Sequence, residues 1–423
     1  MDKSNVKEAY MFPTSKKEVE ALGWDYIDVI LFTGDAFVDH PSFGTACIAR
    51  WLQKWGWRVA VVPQPNWRDD LRDFKKLGAP RLYFGVNAGA MDSMVNHYTA
   101  SKRLRHDDAY TPDGKFGQRP DYAVSVYSKI LKQLYPDIPV VIGGVEASLR
   151  RLTHYDYWKD CLVPSILQWS GADYLCYGMG EKTMLELTRG IEAGRSRHDM
   201  HKIPQIAFYM TGKPKQKEGT LILHSFEECK KDKRAFAENF HLIETQANMM
   251  HPDTLVECVG DGYIQVNPPC PPATEQEMDS YWDLPFTKLP HPRYKGKRIP
   301  AYDMIKFSIN THRGCFGGCN FCTIAAQQEK FIQSRSEESI LKEVKGLLDL
   351  PGFAGNISDL GAPTANMYGM RGKNPALCDV CRRKSCLFPA PCPNMNRSHE
   401  RLLKLYHRVG DIKGIRHSYI GSG

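Results

Sequence analysis

The sequence contains no run of about 18 apolar residues, the length that a helix needs to cross a membrane. Its opening stretch, MDKSNVKEAYMFPTSKKEVE, also lacks the continuous apolar segment of a secretory signal. From these two absences we expect a cytoplasmic protein that has no membrane partner. The composition, with 42% hydrophobic and 25% charged residues in a chain of 423, is that of an ordinary soluble globular protein.

Basic residues exceed acidic residues, 56 against 48, which gives a formal net charge of +8. The basic residues form short groups: SKRLRH from Ser101, KKDKR from Lys230 and YKGKR from Tyr294. None of these groups is interleaved with aromatic residues in the way that nucleic-acid-binding motifs are. The sequence therefore favours a solvated basic surface and leaves a nucleic-acid partner open but unsupported.

Short apolar runs alternate with amphipathic stretches in the first 200 residues, which predicts strands separated by helices. Such an order is typical of a parallel, doubly wound α/β sheet whose ligands bind beyond the carboxyl ends of the strands. The predicted strands are 26–33, 57–63, 81–87, 138–144 and 172–180, and the predicted helices are 43–56, 127–136 and 183–194.

The pattern weakens between residues 201 and 300, where 267–300 is rich in proline, a residue that long helices and central strands exclude. We therefore expect an irregular connector there. After it the pattern resumes as strand 305–311, helix 334–350 begun by Ser334 or Ser336, strand 353–361, helix 397–409 and strand 414–423. The sequence thus predicts three parts: an α/β domain over 1–200, the connector over 201–300, and the first part of a βα barrel over 301–423 with a cysteine-rich insert at 378–392.

Three of the 13 cysteines lie in one glycine-containing loop, RGCFGGCNFC, at Cys315, Cys319 and Cys322. In a reducing compartment cysteines are thiols or metal ligands rather than disulfides. Three thiolates from one loop suit three corners of a cubane [4Fe–4S] cluster with the fourth iron open, whereas zinc usually takes separated pairs of ligands. Zinc with His312 as fourth ligand, or simple packing, is the alternative.

This loop resembles the Cys-x3-Cys-x-aromatic-Cys signature of radical S-adenosylmethionine (SAM) enzymes. The resemblance implies a [4Fe–4S] cluster whose open iron binds SAM and whose electron cleaves it to methionine and a 5′-deoxyadenosyl radical. It also implies that Phe321 lies near the adenine; the structural alternative is an aromatic that packs the loop against the barrel. The segment that receives the methionyl amino group corresponds to Gly361, Ala362, Pro363 and Thr364, but it lacks the acidic residue of the family pattern.

The stretches IGGVEASLRR, HYDYWKD, ADYLCYGMGEK, PHP and GAPTANMYG extend the resemblance to the YgiQ (UPF0313) family of radical SAM proteins. It implies a Rossmann-like, cobalamin-binding-like N-terminal sheet followed by a partial radical SAM (β/α) barrel, and a reducing electron donor such as flavodoxin or ferredoxin. The substrate stays unknown. Because members continue past this point, we expect the chain to be truncated within the barrel. A cobalt-ligating Asp-x-His-x-x-Gly motif is absent, so His40 is expected to be a hydrogen-bonding residue and cobalamin is left open.

A second group, Cys378, Cys381, Cys386 and Cys392, places four thiols within fifteen residues. Packing does not account for such a density in a cytosolic chain. The group can close an all-thiolate zinc site or hold an auxiliary Fe–S cluster, and the sequence does not separate the two. It also supports a rival function, a zinc-stabilised nucleic-acid-binding module without radical chemistry.

Overall fold

The computed structural model describes residues 12–212, 214, 218–362 and 366–421, and the chain divides into two compact units. Unit 1 contains the chain up to Phe240 together with Asp253–Cys270 and Leu289–Ala301. Unit 2 contains His241–Pro252, Pro271–Lys288 and the chain from Tyr302 onward. Each unit is therefore assembled from three separate segments.

Unit 1 contains eleven of the described strands and most of the helices that precede residue 248. The strands are β1 Val29–Thr33, β2 Val59–Pro63, β3 Tyr83–Asn87, β4 Val140–Gly143, β5 His154–Asp156, β6 Cys161–Val163, β7 Tyr174–Cys176, β8 Ile206–Thr211, β9 Thr220–Ile222, β10 Thr254–Val259 and β11 Gly262–Val266. The helices are α1 Lys16–Ala21, α2 Gly44–Lys54, α3 Arg72–Lys75, α4 Ser93–His97, α5 Ala123–Leu134, α6 Gly144–Leu149, α7 Ile166–Ser170, α8 Glu181–Glu192, α9 Arg197–Met200, α10 Phe226–Lys231 and α11 Lys233–Ala247, the last of which crosses the boundary at residue 240.

Nine of these strands form one sheet in the order β2-β1-β3-β4-β7-β8-β11-β10-β9. The first five are parallel, and β1 to β3 are apolar runs that are almost wholly buried because helices cover a doubly wound sheet on both faces. This confirms the predicted parallel α/β sheet. The strand order reverses direction between β1 and β3, the place where such sheets open a crevice at their carboxyl ends.

The expectation that residues 201–300 form an irregular connector is wrong over much of that range. Strands β8, β11 and β10 extend the sheet in antiparallel pairs, and β9 adds a parallel edge. Proline is dense only after residue 267, so the apolar runs before it were free to pair. Even the proline-rich stretch holds a helix, α12 Glu275–Trp282, which contains no proline and begins at a Thr274–Glu277 capping box.

Unit 2 is built from short strands that alternate with helices. Its elements after α12 are α13 Pro300–Ile305, which begins at the unit boundary, then β12 Ser308–Asn310, β13 His312–Arg313, α14 Ile324–Gln328, β14 Gln333–Ser334, α15 Glu337–Leu347, β15 Asn356–Ile357, β16 Asp359–Gly361, α16 Pro375–Asp379, α17 Glu400–Gly410 and β17 His417–Ser418.

Strand β12 pairs in parallel with β16, and β15 pairs in parallel with β17. Helices α15 and α17 lie between these strands in the chain, and their apolar faces share a buried core with Ile309 and Leu360. Ser336 caps α15 by accepting a hydrogen bond from the Ser339 amide, so Ser336 rather than Ser334 is the cap. Successive parallel strands joined by helices are the repeating element of a βα barrel.

Candidate functional site: two cysteine loops in unit 2

The loop that carries the first three cysteines is closed at its base by two short strands. Strand β13 pairs with β14 in antiparallel register, His312 with Ser334 and Arg313 with Gln333. The Cys315 amide donates to the Glu329 carbonyl at 2.9 Å, and the Cys322 amide donates to the Cys319 carbonyl at 3.1 Å. The three thiols therefore lie on a long hairpin loop between β13 and β14, which follows strand β12 in the chain.

Two glycines shape this loop. Gly314 has φ +92°, and a Cβ there would lie 2.1 Å from the Phe331 carbonyl oxygen, so only glycine fits. At Gly317 a Cβ would lie 3.4 Å from the Cys315 sulfur and 3.7 Å from the Cys319 sulfur. The missing side chain at Gly317 leaves a space between two thiols that converge on it, and the Gly317 amide points at the Cys315 sulfur at 3.4 Å.

Burial raises the pKa of the Cys315 thiol, the hydrogen bond from the Gly317 amide opposes that rise, and the proximity of Cys322 and Cys319 adds to it. Cys319 is exposed, whereas Cys315 and Cys322 are half-buried. Three soft sulfur donors around a glycine cradle fit an iron–sulfur cluster in their chemistry. Within the described residues, however, no three histidine, cysteine, aspartate or glutamate side chains stand in an arrangement that could hold a metal ion, so the ligand set is gathered in one loop without being closed.

His312 was the candidate for a fourth zinc ligand. It lies in β13, almost completely buried, where its Nδ1 shares a hydrogen bond of 2.9 Å with the Thr311 hydroxyl. Burial lowers the pKa of His312 to about 4, so the ring is neutral at physiological pH. His312 is thus part of strand β13 at the base of the loop, where its ring is held by the hydrogen bond to Thr311.

Phe321 is 91% exposed, the largest exposed fraction among the large hydrophobic side chains of the described residues. The interpretation that it packs the loop against the barrel is therefore wrong. A bare aromatic ring between Cys319 and Cys322 is available for stacking on a planar ligand. Its predicted place near an adenine stays a prediction.

The segment predicted to receive SAM begins beside the cysteine loop. In the β12–β16 pair Gly361 is the partner of Asn310, and the Gly361 carbonyl accepts a hydrogen bond of 2.6 Å from the Thr311 amide. Ala362 is buried, while Pro363 and Thr364 lie outside the described residues. The strand end at Gly361 is thus adjacent to the strand that leads into Cys315.

The second cysteine group lies on a loop that begins in α16. Burial raises the pKa of Cys386, the Lys330 ammonium opposes that rise, and Cys392, Cys381 and Cys378 each add to it. Backbone hydrogen bonds bring the cysteines together in two pairs, because the Cys381 amide donates to the Cys378 carbonyl at 3.2 Å and the Cys392 amide donates to the Cys386 carbonyl at 2.8 Å. The Lys330 side chain is buried, and its Nζ lies 3.9 Å from the Cys381 sulfur.

The two loops pack against each other inside unit 2. Phe316 belongs to a small buried cluster with Met367, Met370 and Met395, against which Cys315, Cys386 and Cys392 pack. The Ser385 hydroxyl donates to the Gly317 carbonyl at 2.7 Å, and the Cys386 amide donates to the Phe316 carbonyl at 3.0 Å. Lys330 and Ser385 escaped the sequence reasoning because neither residue belongs to a metal or nucleophile motif; the only signal was that Ser385 directly precedes Cys386.

The strand ends of unit 1 carry a buried charge cluster. Arg119 pairs with Asp35 and with Asp108, at 2.9 Å in both cases, and all three side chains are buried. Burial raises the pKa of Asp35 to about 6, although Arg119 opposes the shift. His40 is also buried, and its Nδ1 accepts a hydrogen bond of 3.1 Å from the Ser42 amide, as its predicted hydrogen-bonding role requires. These residues fix the loops that follow β1 and β3.

Comparison with known proteins extends over nearly the whole chain. Residues 11–308 match the family described as radical SAM N-terminal. UPF0313 proteins of Bacteroides thetaiotaomicron and Bradyrhizobium diazoefficiens are 57% and 45% identical, with 97% and 99% of this chain aligned to 68% and 65% of theirs. The UPF0313 protein YgiQ of Escherichia coli is 42% identical over 98% of this chain and 64% of its own length. The chain therefore spans about two thirds of the length of these relatives.

Two solved structures of TsrM from Kitasatospora setae, a radical SAM methyltransferase, share 16% and 17% identity with this chain and cover 76% of it and 45% and 46% of their own. Their TM-scores of 0.39 and 0.41 are too low to transfer residues or activity. The helices within the described ranges are too short or too polar to span a lipid bilayer.

Proposed function

The chain belongs to the UPF0313 family of radical SAM proteins, and from this premise we propose that it is an enzyme that cleaves SAM reductively at a [4Fe–4S] cluster held by Cys315, Cys319 and Cys322. The observation that carries the proposal is the glycine-lined loop in which the Cys315 and Cys319 sulfurs converge on Gly317. When bound, the cluster supplies the electron that converts SAM to methionine and a 5′-deoxyadenosyl radical.

The residues of the chain have the tasks of binding and orientation. The thiolates of Cys315, Cys319 and Cys322 would hold three irons of the cluster, and the Gly317 amide, which points at the Cys315 sulfur, would stabilise the charge of that thiolate. The exposed ring of Phe321 offers a stacking surface for the adenine. The segment from Gly361 to Thr364, of which Gly361 and Ala362 lie within the described residues, is the proposed place for the methionyl end of SAM.

The reaction needs a one-electron reductant, for which flavodoxin or ferredoxin is the proposed partner. The substrate is the molecule from which the radical removes a hydrogen atom, and the residues of the cysteine loop do not identify that molecule.

The test uses protein purified without oxygen and reconstituted with iron and sulfide. We expect about four iron and four sulfide per chain at the first site, and formation of 5′-deoxyadenosine and methionine after addition of dithionite and SAM. Both are expected to be lost in the Cys315→Ala, Cys319→Ala, Cys322→Ala variant and kept in Cys258→Ala, which alters a half-buried cysteine of unit 1. Iron content that is unchanged in the triple variant would sink the proposal.

A nucleic-acid substrate is a second candidate, because unit 1 brings together basic and aromatic groups that are distant in the sequence. The Lys102 ammonium lies 4.7 Å from the centre of the Tyr157 ring, and residues 101–106 are exposed. Tyr155 and Tyr157 are 49% and 45% exposed. Basic groups beside exposed aromatic rings are the arrangement with which proteins hold single-stranded nucleic acid.

Fluorescence anisotropy with a labelled single-stranded RNA tests this candidate. We expect salt-sensitive binding that weakens at least fivefold in the Arg103→Glu, Arg105→Glu variant. The matched control reverses two exposed charges on α10 and α11, Lys231→Glu and Lys233→Glu, and is expected to bind as the parent does. Equal losses in both variants would mean general attraction to a basic chain and would remove the candidate.

A further inference from the structure

The second cysteine loop contains more than a group of thiols, because other polar groups of unit 2 are directed at its sulfurs. Asn394 Nδ2 lies 3.4 Å from the Cys378 sulfur. Lys330 Nζ lies 3.9 Å from the Cys381 sulfur and donates a hydrogen bond of 2.7 Å to the Arg383 carbonyl. Buried lysine is costly unless its charge is compensated, and thiolates that bind a metal beside Lys330 would supply that compensation.

Backbone also approaches these sulfurs closely. A Cβ at Gly372 would lie 2.4 Å from the Cys378 sulfur, so the chain passes directly against it. The Cys392 amide donates to the Cys386 carbonyl at 2.8 Å, which folds the last two cysteines toward each other. A short loop of little regular structure that carries four cysteines and faces the buried Lys330 side chain is hard to stabilise by apolar burial alone.

We propose that Cys378, Cys381, Cys386 and Cys392 bind a second, all-thiolate metal centre, and that this centre supports the first cysteine loop through Ser385. Four thiolates satisfy tetrahedral zinc and also a second Fe–S cluster, and both centres carry the negative charge that Lys330 faces. Binding draws the four thiols into a closed set, as structural metals do in loops that they order.

Ser385 forms the connection between the two loops. Its hydroxyl donates to the Gly317 carbonyl at 2.7 Å and accepts from the Leu387 amide at 3.0 Å and the Phe388 amide at 3.1 Å. A Cβ at Gly318 would lie 2.9 Å from the Ser385 Cβ, so the two loops are in direct contact. A metal that orders residues 378–392 therefore also fixes the carbonyl side of the Gly317–Gly318 turn. The supporting role rests on the proposed first cluster, whereas the presence of the second metal does not.

The test compares metal content and metal retention in the full chain, purified without oxygen and reconstituted with iron, sulfide and zinc. Four proteins are needed: the parent, Cys378→Ser with Cys392→Ser, Ser385→Ala, and Cys258→Ser as the control for loss of an unrelated thiol. We expect one zinc, or about four further irons with sulfide, in the parent and the control. We expect that metal to be absent from the double variant and present in Ser385→Ala.

The supporting role is measured by the rate at which a strong iron chelator removes iron from the first site. We expect that rate to rise at least threefold in Ser385→Ala and in the double variant, and not in the control. An unchanged rate in Ser385→Ala would overturn the supporting role, and unchanged metal content in the double variant would overturn the second centre.

Two further measurements separate the outcomes. Alkylation of the parent with iodoacetamide, before and after chelation, reports whether the four cysteines are protected by metal even if the double variant fails to fold. Lack of protection before chelation would overturn the centre. In the Cys315→Ala, Cys319→Ala, Cys322→Ala variant the second metal is expected to persist, so its presence does not depend on the proposed SAM chemistry.

Discussion

The backbone amide of Cys386 donates a hydrogen bond of 3.0 Å to the carbonyl oxygen of Phe316, which joins the second cysteine loop to the first through the main chain. Such a bond does not depend on the side chain of either residue, provided that residue 386 is not proline, which lacks the amide hydrogen. It holds the two loops against each other at this point. The candidate ligands of the first loop nevertheless differ in exposure, because Cys315 is half-buried and Cys319 is exposed. The consequence is that changes in the first loop are best tested by substitutions that leave this bond in place.

Gly317→Ala is such a substitution. The new methyl group would lie 3.4 Å from the Cys315 sulfur and 3.7 Å from the Cys319 sulfur, which the polypeptide tolerates but which fills the space between the thiols. We expect a free energy of unfolding within about 0.5 kcal/mol of that of the parent. The iron content after reconstitution is expected to fall to half that of the parent or less.

The matched control is Gly346→Ala, inside α15, where a Cβ meets nothing within 4 Å. It is expected to raise stability by about 0.5–1 kcal/mol, because alanine favours helix, and to leave iron content unchanged. Full iron loading in Gly317→Ala would contradict the assignment of that space to a cluster.

Phe321→Ala removes an aromatic ring that is 91% exposed and therefore contributes little to folding. We expect an unchanged melting temperature and SAM affinity about tenfold weaker in reconstituted protein, because stacking of an aromatic side chain on a base is worth about 1–3 kcal/mol. Calorimetric titration with SAM measures the change. Phe240→Ala, which removes an exposed ring from α11, serves as the control, and equal affinity in all three proteins would show that Phe321 does not contact SAM.

Glu343 lies between two cations of unit 2, with its carboxylate 2.5 Å from Lys288 Nζ and also paired with Arg335. Despite burial, these two cations lower the pKa of Glu343 to about 2. A lowered folded-state pKa contributes stability that is present above the ordinary value near 4.5 and is lost as the pH falls toward 2.

Glu343→Gln is therefore expected to cost about 3 kcal/mol at pH 7, since it leaves two cations without their anion, and the difference from the parent is expected to shrink below pH 4. Thermal unfolding between pH 3 and 8 measures both effects. Glu338→Gln, on an exposed position of the same helix, should change the melting temperature little; a similar loss there would mean that charge in general, not the buried pair, is responsible.

Glu257 in β10 shows the opposite shift. Burial raises its pKa to about 7, although the Thr153 amide donates a hydrogen bond of 2.9 Å to Oε2. A raised folded-state pKa contributes stability that is present below 4.5 and is lost as the pH rises through 7.

In Glu257→Gln the side chain is neutral at every pH and its oxygen can still accept from Thr153. We expect this variant to be more stable than the parent at pH 8, by up to about 3 kcal/mol, and similar to it at pH 4.5. Melting temperatures across this range provide the measurement, with the exposed Glu227→Gln as control. A stability difference between parent and variant that stays the same from pH 4.5 to pH 8 would contradict the raised pKa of Glu257.

The strands that were predicted correctly are those whose local pattern of apolar residues is enough to indicate a buried strand. Val29–Thr33 and Val59–Pro63 are unbroken apolar runs, and their burial on both faces leaves no other role for them. The Ile206–Thr211 and Gly262–Val266 strands were missed because the proline-rich segment 267–300 led to the prediction of irregular structure for the whole range 201–300. Their place in the sheet depends on pairing with distant segments, which local pattern does not contain.

The candidate site divides in the same way. Cysteine spacing marks both loops, but the contact between them depends on Ser385 and Gly317, which are 68 residues apart in the chain. Lys330 likewise reaches the second loop across 53 residues to the Arg383 carbonyl. Such contacts follow from tertiary packing, so only a three-dimensional structure reveals them.

The segmented construction of unit 1 has a consequence for how the protein is made. Its sheet includes strands from Asp253–Cys270, and its last segment is Leu289–Ala301. During synthesis from the N-terminus, the unit stays incomplete until residue 301 has left the ribosome, even though its parallel strands emerge much earlier. All nine strands of the sheet have been synthesised by Val266, whereas the segment Leu289–Ala301 that completes unit 1 is made shortly before Cys315, so the whole of unit 1 precedes the first cysteine loop in the order of synthesis.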